Sequence, residues 1–139
     1  GAMKVFVMMA ALVACCMGEG VPVQVTGTLS CPHYFNYRIS LWEEDGPDPH
    51  DMIYRDQMLT SNGAATPYLA TGVASDNVGK VEPVLTIEHN CNSVYKCLCK
   101  DFGEIDARLE ATLNVDLAKP QPGLEECDIC EDARTAPSK

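Results

Sequence analysis

The sequence predicts an all-β fold, an antiparallel β-sandwich of about seven strands braced by disulfides. Three observations lead to this class. Short segments alternate apolar and polar residues, which is the pattern of a strand with one face in a core and one in water. Turn-forming residues separate these segments, and the chain carries 8 cysteines in 139 residues. Helical spacing is poorly supported anywhere in the chain.

The alternation predicts strands over residues 21–29, 37–42, 83–89 and 108–117. In the first of these, Val21, Val23, Val25 and Leu29 share one parity. The last segment has the clearest pattern, because polar residues separate every member of an apolar set, Leu109, Ala111, Leu113, Val115 and Leu117.

Three clusters of turn residues interrupt these segments. Gly46-Pro47-Asp48-Pro49 cannot continue a strand, because proline lacks a backbone donor and fixes its own φ. Ser61-Asn62-Gly63 contains residues that tolerate positive φ and predicts a hairpin. Pro120-Gln121-Pro122-Gly123 is expected to end the last strand. No internal repeat and no second domain are apparent.

The first 20 residues have the anatomy of a secretory signal peptide: Lys4, an apolar run over 5–14, then small and polar residues. The run is shorter than the roughly 20 residues of a membrane-spanning helix, so no transmembrane segment is expected. Gly1-Ala2 are cloning residues or native ones. As an alternative, residues 12–15 resemble a bacterial lipoprotein box with Cys15 as the lipidated residue. We therefore expect a secreted, extracellular protein with one domain over 21–130 and a flexible tail over 131–139.

Charge narrows the possible partners. The chain has 10 basic and 20 acidic residues, a net charge of −10. Such a chain without a basic cluster is unsuited to nucleic acid or to an anionic membrane surface.

The cysteines that would remain after removal of a signal peptide number six, and an even count in an oxidising compartment favours disulfides. Zinc is the alternative, although Cys-x5-Cys-x-Cys does not match its usual paired spacing. A redox centre is a second alternative, because Cys127-Asp-Ile-Cys130 has the spacing of redox-active cysteine pairs. Its place in a polar tail, rather than at the start of a helix, argues against that role. The six are Cys31, Cys91, Cys97, Cys99, Cys127 and Cys130.

Several spaced motifs resemble, in order, the nematode transthyretin-like family of secreted proteins. They are VQVTGTLSC, LWEEDGPDPHDMI, TSNG, VEPVLTIEHNC, and LNVDL followed by Pro-Gly and a cysteine. The resemblance covers nearly all of residues 23–127. It implies secretion and a transthyretin-like sandwich. The usual four cysteines of that family would correspond to Cys31, Cys91, Cys97 and Cys127.

On this basis we expect three disulfides. Cys91–Cys97 would clasp a hairpin whose tip is 92–96, and Cys31–Cys127 would join the first strand to the C-terminal end. Cys99 and Cys130 are additional to the family pattern and would bond each other. Six cysteines allow 15 pairings in all.

Three features of the sequence are candidate sites: a histidine, an acidic loop and a hairpin tip. His89 is either a ligand or general base, or a structural histidine on the sheet, and the structural reading is preferred. The acidic loop 43–51 could hold Ca²⁺ but is better explained as a solvated loop. Its carboxylates Glu43, Glu44, Asp48 and Asp51, with the hairpin tip 92–96, are the candidate partner-binding residues.

The function expected is non-catalytic binding. The wider transthyretin-like fold includes hydroxyisourate hydrolases, but this chain lacks their C-terminal Tyr-Arg-Gly-Ser. Its histidines, His33, His50 and His89, lie in unrelated segments, so no nucleophile with its base is visible. No catalytic residue, cofactor or metal is therefore assigned. The family resemblance implies an adaptor for an extracellular or host protein. The acidic surface favours a basic partner. A monomer is expected, because the strand pattern shows no second apolar face. The alternative is a carrier of a small apolar ligand in the channel of a tetramer.

Overall fold

The computed structural model describes residues 20–44, 51–75 and 80–130. This part of the chain forms ten strands and one 3₁₀ turn at Cys91–Ser93. The strands are β1 (Val21–Ser30), β2 (Phe35–Glu43), β3 (Asp51–Arg55), β4 (Leu59–Ser61), β5 (Thr66–Ala74), β6 (Pro83–His89), β7 (Lys96–Asp101), β8 (Leu109–Thr112), β9 (Val115–Asp116) and β10 (Glu125–Glu126). The predicted all-β class is confirmed.

The strands form two sheets. The smaller has the order β5-β1-β8, with β9 also paired to β1, and the larger has the order β10-β7-β6-β2-β3, with β4 also paired to β2. Odd-numbered residues of β1, β2 and β6 meet between the sheets; Val25, Leu41 and Leu85 have no exposed surface. The apolar residues of the alternating pattern therefore face the core between the sheets, and the polar residues lie on the outer faces.

The strand predicted over 108–117 is divided into β8 and β9, which pair with β1 in parallel rather than antiparallel. The break lies at Leu113, whose carbonyl accepts the Tyr68 hydroxyl at 2.7 Å. At the next position the Asn114 side-chain oxygen accepts the Thr28 amide at 3.0 Å. The prediction of one continuous strand is wrong, and the interruption coincides with these two bonds, although β8 and β9 keep the same register against β1.

Two predicted segments lie outside the described residues. They are the signal peptide over 1–20, except for Gly20, and the tail over 131–139. Within the three described ranges, no helix combines the length and apolar character needed to cross a membrane.

Candidate functional site

Three segments that connect strands lie together at one end of the molecule. They are residues 31–34, 62–65 and 90–95. The Cys31–Cys91 disulfide joins the first to the third, with their Cα atoms 6.1 Å apart. The Cys31 amide also donates to the Gly63 carbonyl at 3.3 Å, which joins the first to the second. Three segments far apart in the sequence therefore form one braced end.

Gly63 allows the second connection to lie close to the backbone of the first. Its φ is +98°, and a Cβ there would lie 2.7 Å from the Cys31 carbonyl oxygen and 2.8 Å from that of His33. The prediction of a turn at residues 61–63 is confirmed, but the prediction of a hairpin is wrong. The flanking strands β4 and β5 belong to different sheets, so the turn carries the chain across the sandwich.

The hairpin tip between β6 and β7 is held by polar contacts. Asn90 and Asn36 exchange two bonds: the Asn36 amide donates to Asn90 Oδ1 at 2.7 Å, and the Asn90 amide donates to the Asn36 carbonyl at 3.2 Å. Asn92 and Ser93 both have φ of 67°, a region that L-residues seldom adopt. The tip thus has a defined and unusual backbone path.

Tyr95 anchors this tip to a buried ion pair on the outer face of the larger sheet. Its hydroxyl donates to Glu88 Oε1. Glu88 also accepts from Arg38, with Nε to Oε2 at 2.7 Å and Nη2 to Oε1 at 3.1 Å. Burial by itself raises the pKa of Glu88, but the bonds from Arg38 and Tyr95 outweigh burial and leave the pKa below its usual value. The carboxylate is therefore ionised and can hold both partners.

Sequence reasoning missed this pair. Arg38 and Glu88 lie directly opposite each other on β2 and β6, and each stands on the polar parity of its strand. That signal is readable only when the register of the two strands is known.

Exposed apolar and aromatic side chains accompany the braced end. Tyr34 is 77% exposed, Val94 58% and Tyr95 41%. We call these three residues the loop-end surface. Large side chains of this type dominate the energetics of protein interfaces, so this surface is suited to contact with another molecule.

All three expected disulfide pairings are wrong. The structure pairs Cys31 with Cys91, Cys97 with Cys130, and Cys99 with Cys127. The tip 92–96 is consequently not clasped by its own pair. The loop 31–34 approaches Cys91, while the segment around β10 runs antiparallel to β7 and brings Cys127 and Cys130 to that strand.

These pairings bear on the metal and redox alternatives. The sulfur atoms of Cys97, Cys99 and Cys127 lie within 4.8 Å of one another. Each of the three is already in a disulfide, and metal binding requires thiolates. In its oxidised form this sulfur cluster has no thiolate ligand to offer.

His89 occupies a structural position in the sheet. It is 2% exposed, and its Nδ1 accepts the Cys91 amide at 3.1 Å. Burial, with a smaller contribution from the charge of Lys96, lowers its pKa to about 4. The ring is neutral at pH 7.

The four carboxylates expected to form a partner-binding loop do not share one environment. Glu43 is 3% exposed at the end of β2, so the prediction that this residue is available at the surface is wrong. Asp51 is exposed at the start of β3 and Glu44 is half-buried. Asp48 lies outside the described residues.

Glu44 instead joins an acidic cluster with Glu82 and Asp101, whose carboxylate oxygens lie within 4.8 Å of one another. Hydrogen bonds with Glu44 and then Asp101 raise the pKa of Glu82 to about 8. A proton held on Glu82 therefore relieves the repulsion within the cluster near neutral pH. Oxygen ligands of this kind are those that hard cations prefer.

Comparisons of this chain with protein-family models, with curated proteins and with solved structures found no match.

Proposed function

We propose that this protein is a secreted, non-catalytic binding protein of the transthyretin-like type, and that it recognises an extracellular cell-surface or host protein. The observation that carries the proposal is the loop-end surface. It combines exposed Tyr34, Val94 and Tyr95 with connections that are braced to one another.

Bracing supports a binding role because ordering costs free energy when a complex forms. A side chain that must be immobilised on binding costs about 0.5–1.5 kcal/mol. Cys31–Cys91 and the Asn36–Asn90 bonds order the surrounding backbone in advance. Tyr95 is already held by Glu88. The loop-end surface is thus prepared for contact before a partner arrives.

Charge suggests the character of the partner. The chain has a net charge of −10, and complementary charge accelerates association with a basic protein. Salt screens such long-range attraction, so the association rate should fall as ionic strength rises. The apolar contacts of the loop-end surface should be less sensitive to salt.

Binding of the purified chain to intact cells and to a panel of extracellular domains tests the proposal, with surface plasmon resonance to measure Kd. We expect the double variant Y34A/V94S to bind at least tenfold more weakly. Neither side chain is buried, so the fold should be retained.

Val73 provides a matched control. It is a 62% exposed valine near the far end of β5, where it pairs with Pro22. V73S removes as much apolar surface as V94S and should bind like the unmodified protein. Equal affinity for Y34A/V94S would reject the loop-end surface. Hydrolysis of hydroxyisourate by the unmodified chain would reject the non-catalytic assignment.

A further inference from the structure

A cavity of about 220 Å³ lies beside β7, the strand that pairs with β6 and β10 in the larger sheet. The segment 117–124, which runs from β9 of the smaller sheet to β10 of the larger, forms one wall. Its wall includes the polar groups of His89, Lys96, Lys119 and Glu126 and the apolar side chains of Leu98, Leu117 and Leu124. The cavity adjoins the hairpin tip through Asn92 and Lys96 but includes none of Tyr34, Val94 and Tyr95, so the inference below does not depend on the proposed function.

His89 supplies an unused donor. Its Nδ1 accepts the Cys91 amide, so the proton of the neutral ring is on Nε2. Nε2 is buried and has no hydrogen-bond partner among the described residues. Because an unpaired buried donor destabilises the fold, an acceptor placed in the cavity would recover part of that loss.

Lys96 and Lys119 add positive charge to the same cavity. Lys96 Nζ lies 3.4 Å from Glu126 Oε1, and Lys119 Nζ lies 4.0 Å from Asp116 Oδ2. Exposed ion pairs of this kind contribute little to stability, so either ammonium group can turn toward a new anion. Two lysines at one cavity stand out in a chain with 10 basic residues.

The remaining wall is apolar and limits the size of a ligand. Leu98, Leu117 and Leu124 offer hydrocarbon surface opposite the polar groups. A cavity of about 150 Å³ can hold benzene, which has six heavy atoms. In proportion, a cavity of about 220 Å³ holds a molecule of about nine heavy atoms.

We propose that this cavity binds a small organic carboxylate with an apolar body, about the size of benzoate. The carboxylate would accept from His89 Nε2–H and lie near Lys96 and Lys119, while the body would pack on the leucines. The site lies within one chain and differs in this respect from a channel formed between four copies.

Titration of the full chain with benzoate tests the proposal, followed by calorimetry and by NMR of the His89 Nε2 proton. We expect a single site with Kd below about 1 mM and a downfield shift of that proton as it gains an acceptor. Benzyl alcohol and benzylammonium, which lack the carboxylate, should bind at least tenfold more weakly.

Two variants locate the site. L124W should fill the cavity and reduce affinity for benzoate at least tenfold. K119Q changes a lysine whose side chain is 77% exposed, should not affect folding, and should weaken binding about threefold. Lys80 is exposed and lies outside the cavity wall, so K80Q is the charge-matched control and should bind like the unmodified chain.

Four results would overturn the proposal. One is the lack of saturable benzoate binding up to about 10 mM, and another is benzyl alcohol binding as tightly as benzoate. The third is unchanged affinity in folded L124W together with unchanged affinity in K119Q. The last is binding without movement of the His89 Nε2 proton.

Discussion

Cys97 and Cys127 belong to different disulfides, yet their sulfur atoms lie 3.3 Å apart. The Cys127 amide donates to the Cys97 carbonyl at 3.0 Å, where β10 runs antiparallel to β7. Opposed residues of antiparallel strands have Cα separations of about 4.5–5.5 Å, within the range that a disulfide spans. The fold therefore accommodates a second way of pairing these cysteines.

Replacing Cys99 and Cys130 together by alanine should lead Cys97 and Cys127 to bond each other. The backbone pairing already holds the two residues side by side, so only side-chain rotation is required. Peptide mapping by mass spectrometry without reductant detects the new bond. The control C99A/C127A should keep the Cys97–Cys130 bond, and two free thiols in C99A/C130A would contradict the prediction.

His89 should make the protein less stable as pH falls from about 6.5 to 4. Its pKa is lowered from 6.5 to about 4 in the folded chain, so over this interval the unfolded chain binds the proton more readily. The loss should reach about 3 kcal/mol. Urea unfolding of the unmodified protein and H89Q should show that the variant lacks this part of the pH dependence. An NMR titration of His89 with a midpoint near 6.5 would refute it.

Glu82 should have the opposite pH dependence. Bonds with Glu44 and Asp101 raise its pKa from 4.5 to about 8 in the folded chain, so its contribution to stability is lost as pH rises through that interval. E82Q, which keeps a hydrogen-bond donor, should lose less stability than the unmodified protein between pH 5 and 8. The exposed site Glu104 offers the control: E104Q removes the same charge and should retain the slope. Parallel curves for all three proteins would be inconsistent with a raised pKa of Glu82.

Replacing Gly27 by alanine should reduce the free energy of unfolding by at least about 2 kcal/mol. The new Cβ would lie 1.8 Å from the Leu113 carbonyl oxygen. Leu113 cannot move freely, because its amide donates to Thr26 and its carbonyl accepts from Tyr68.

Gly103 is the control for this variant. Its φ is +75° but nothing lies within 4 Å of an added Cβ, so G103A should lose only about 1 kcal/mol from backbone strain. Urea unfolding measures both variants. A loss for G27A no larger than that for G103A would contradict the prediction.

The strands show what local pattern can predict. Residues 83–89 form β6 over the predicted range, and 21–29 lie within β1. Their side chains alternate faces because successive Cβ atoms of any strand point in opposite directions. The break at Leu113 has no such local signal, since it depends on Gly27 and Tyr68 of other strands.

The loop-end surface and the cavity were only partly visible in the sequence. The tip 92–96 is predicted as a binding segment, but its neighbour Tyr34 is brought to this end by the pairing of β2 with β6 and by the Cys31–Cys91 bond. His89 was identified as a structural histidine. The lysines that share its cavity come from β7 and from the connection after β9.

By itself the sequence determined the all-β class and the alternating faces, because both follow from the order of neighbouring residues. Only the tertiary structure decided which cysteines bond, which strands pair in parallel and which groups surround His89. The bonded cysteines are 28, 33 and 60 residues apart. Distances between such remote segments depend on how the sheets pack, and the local pattern of residues does not reveal them.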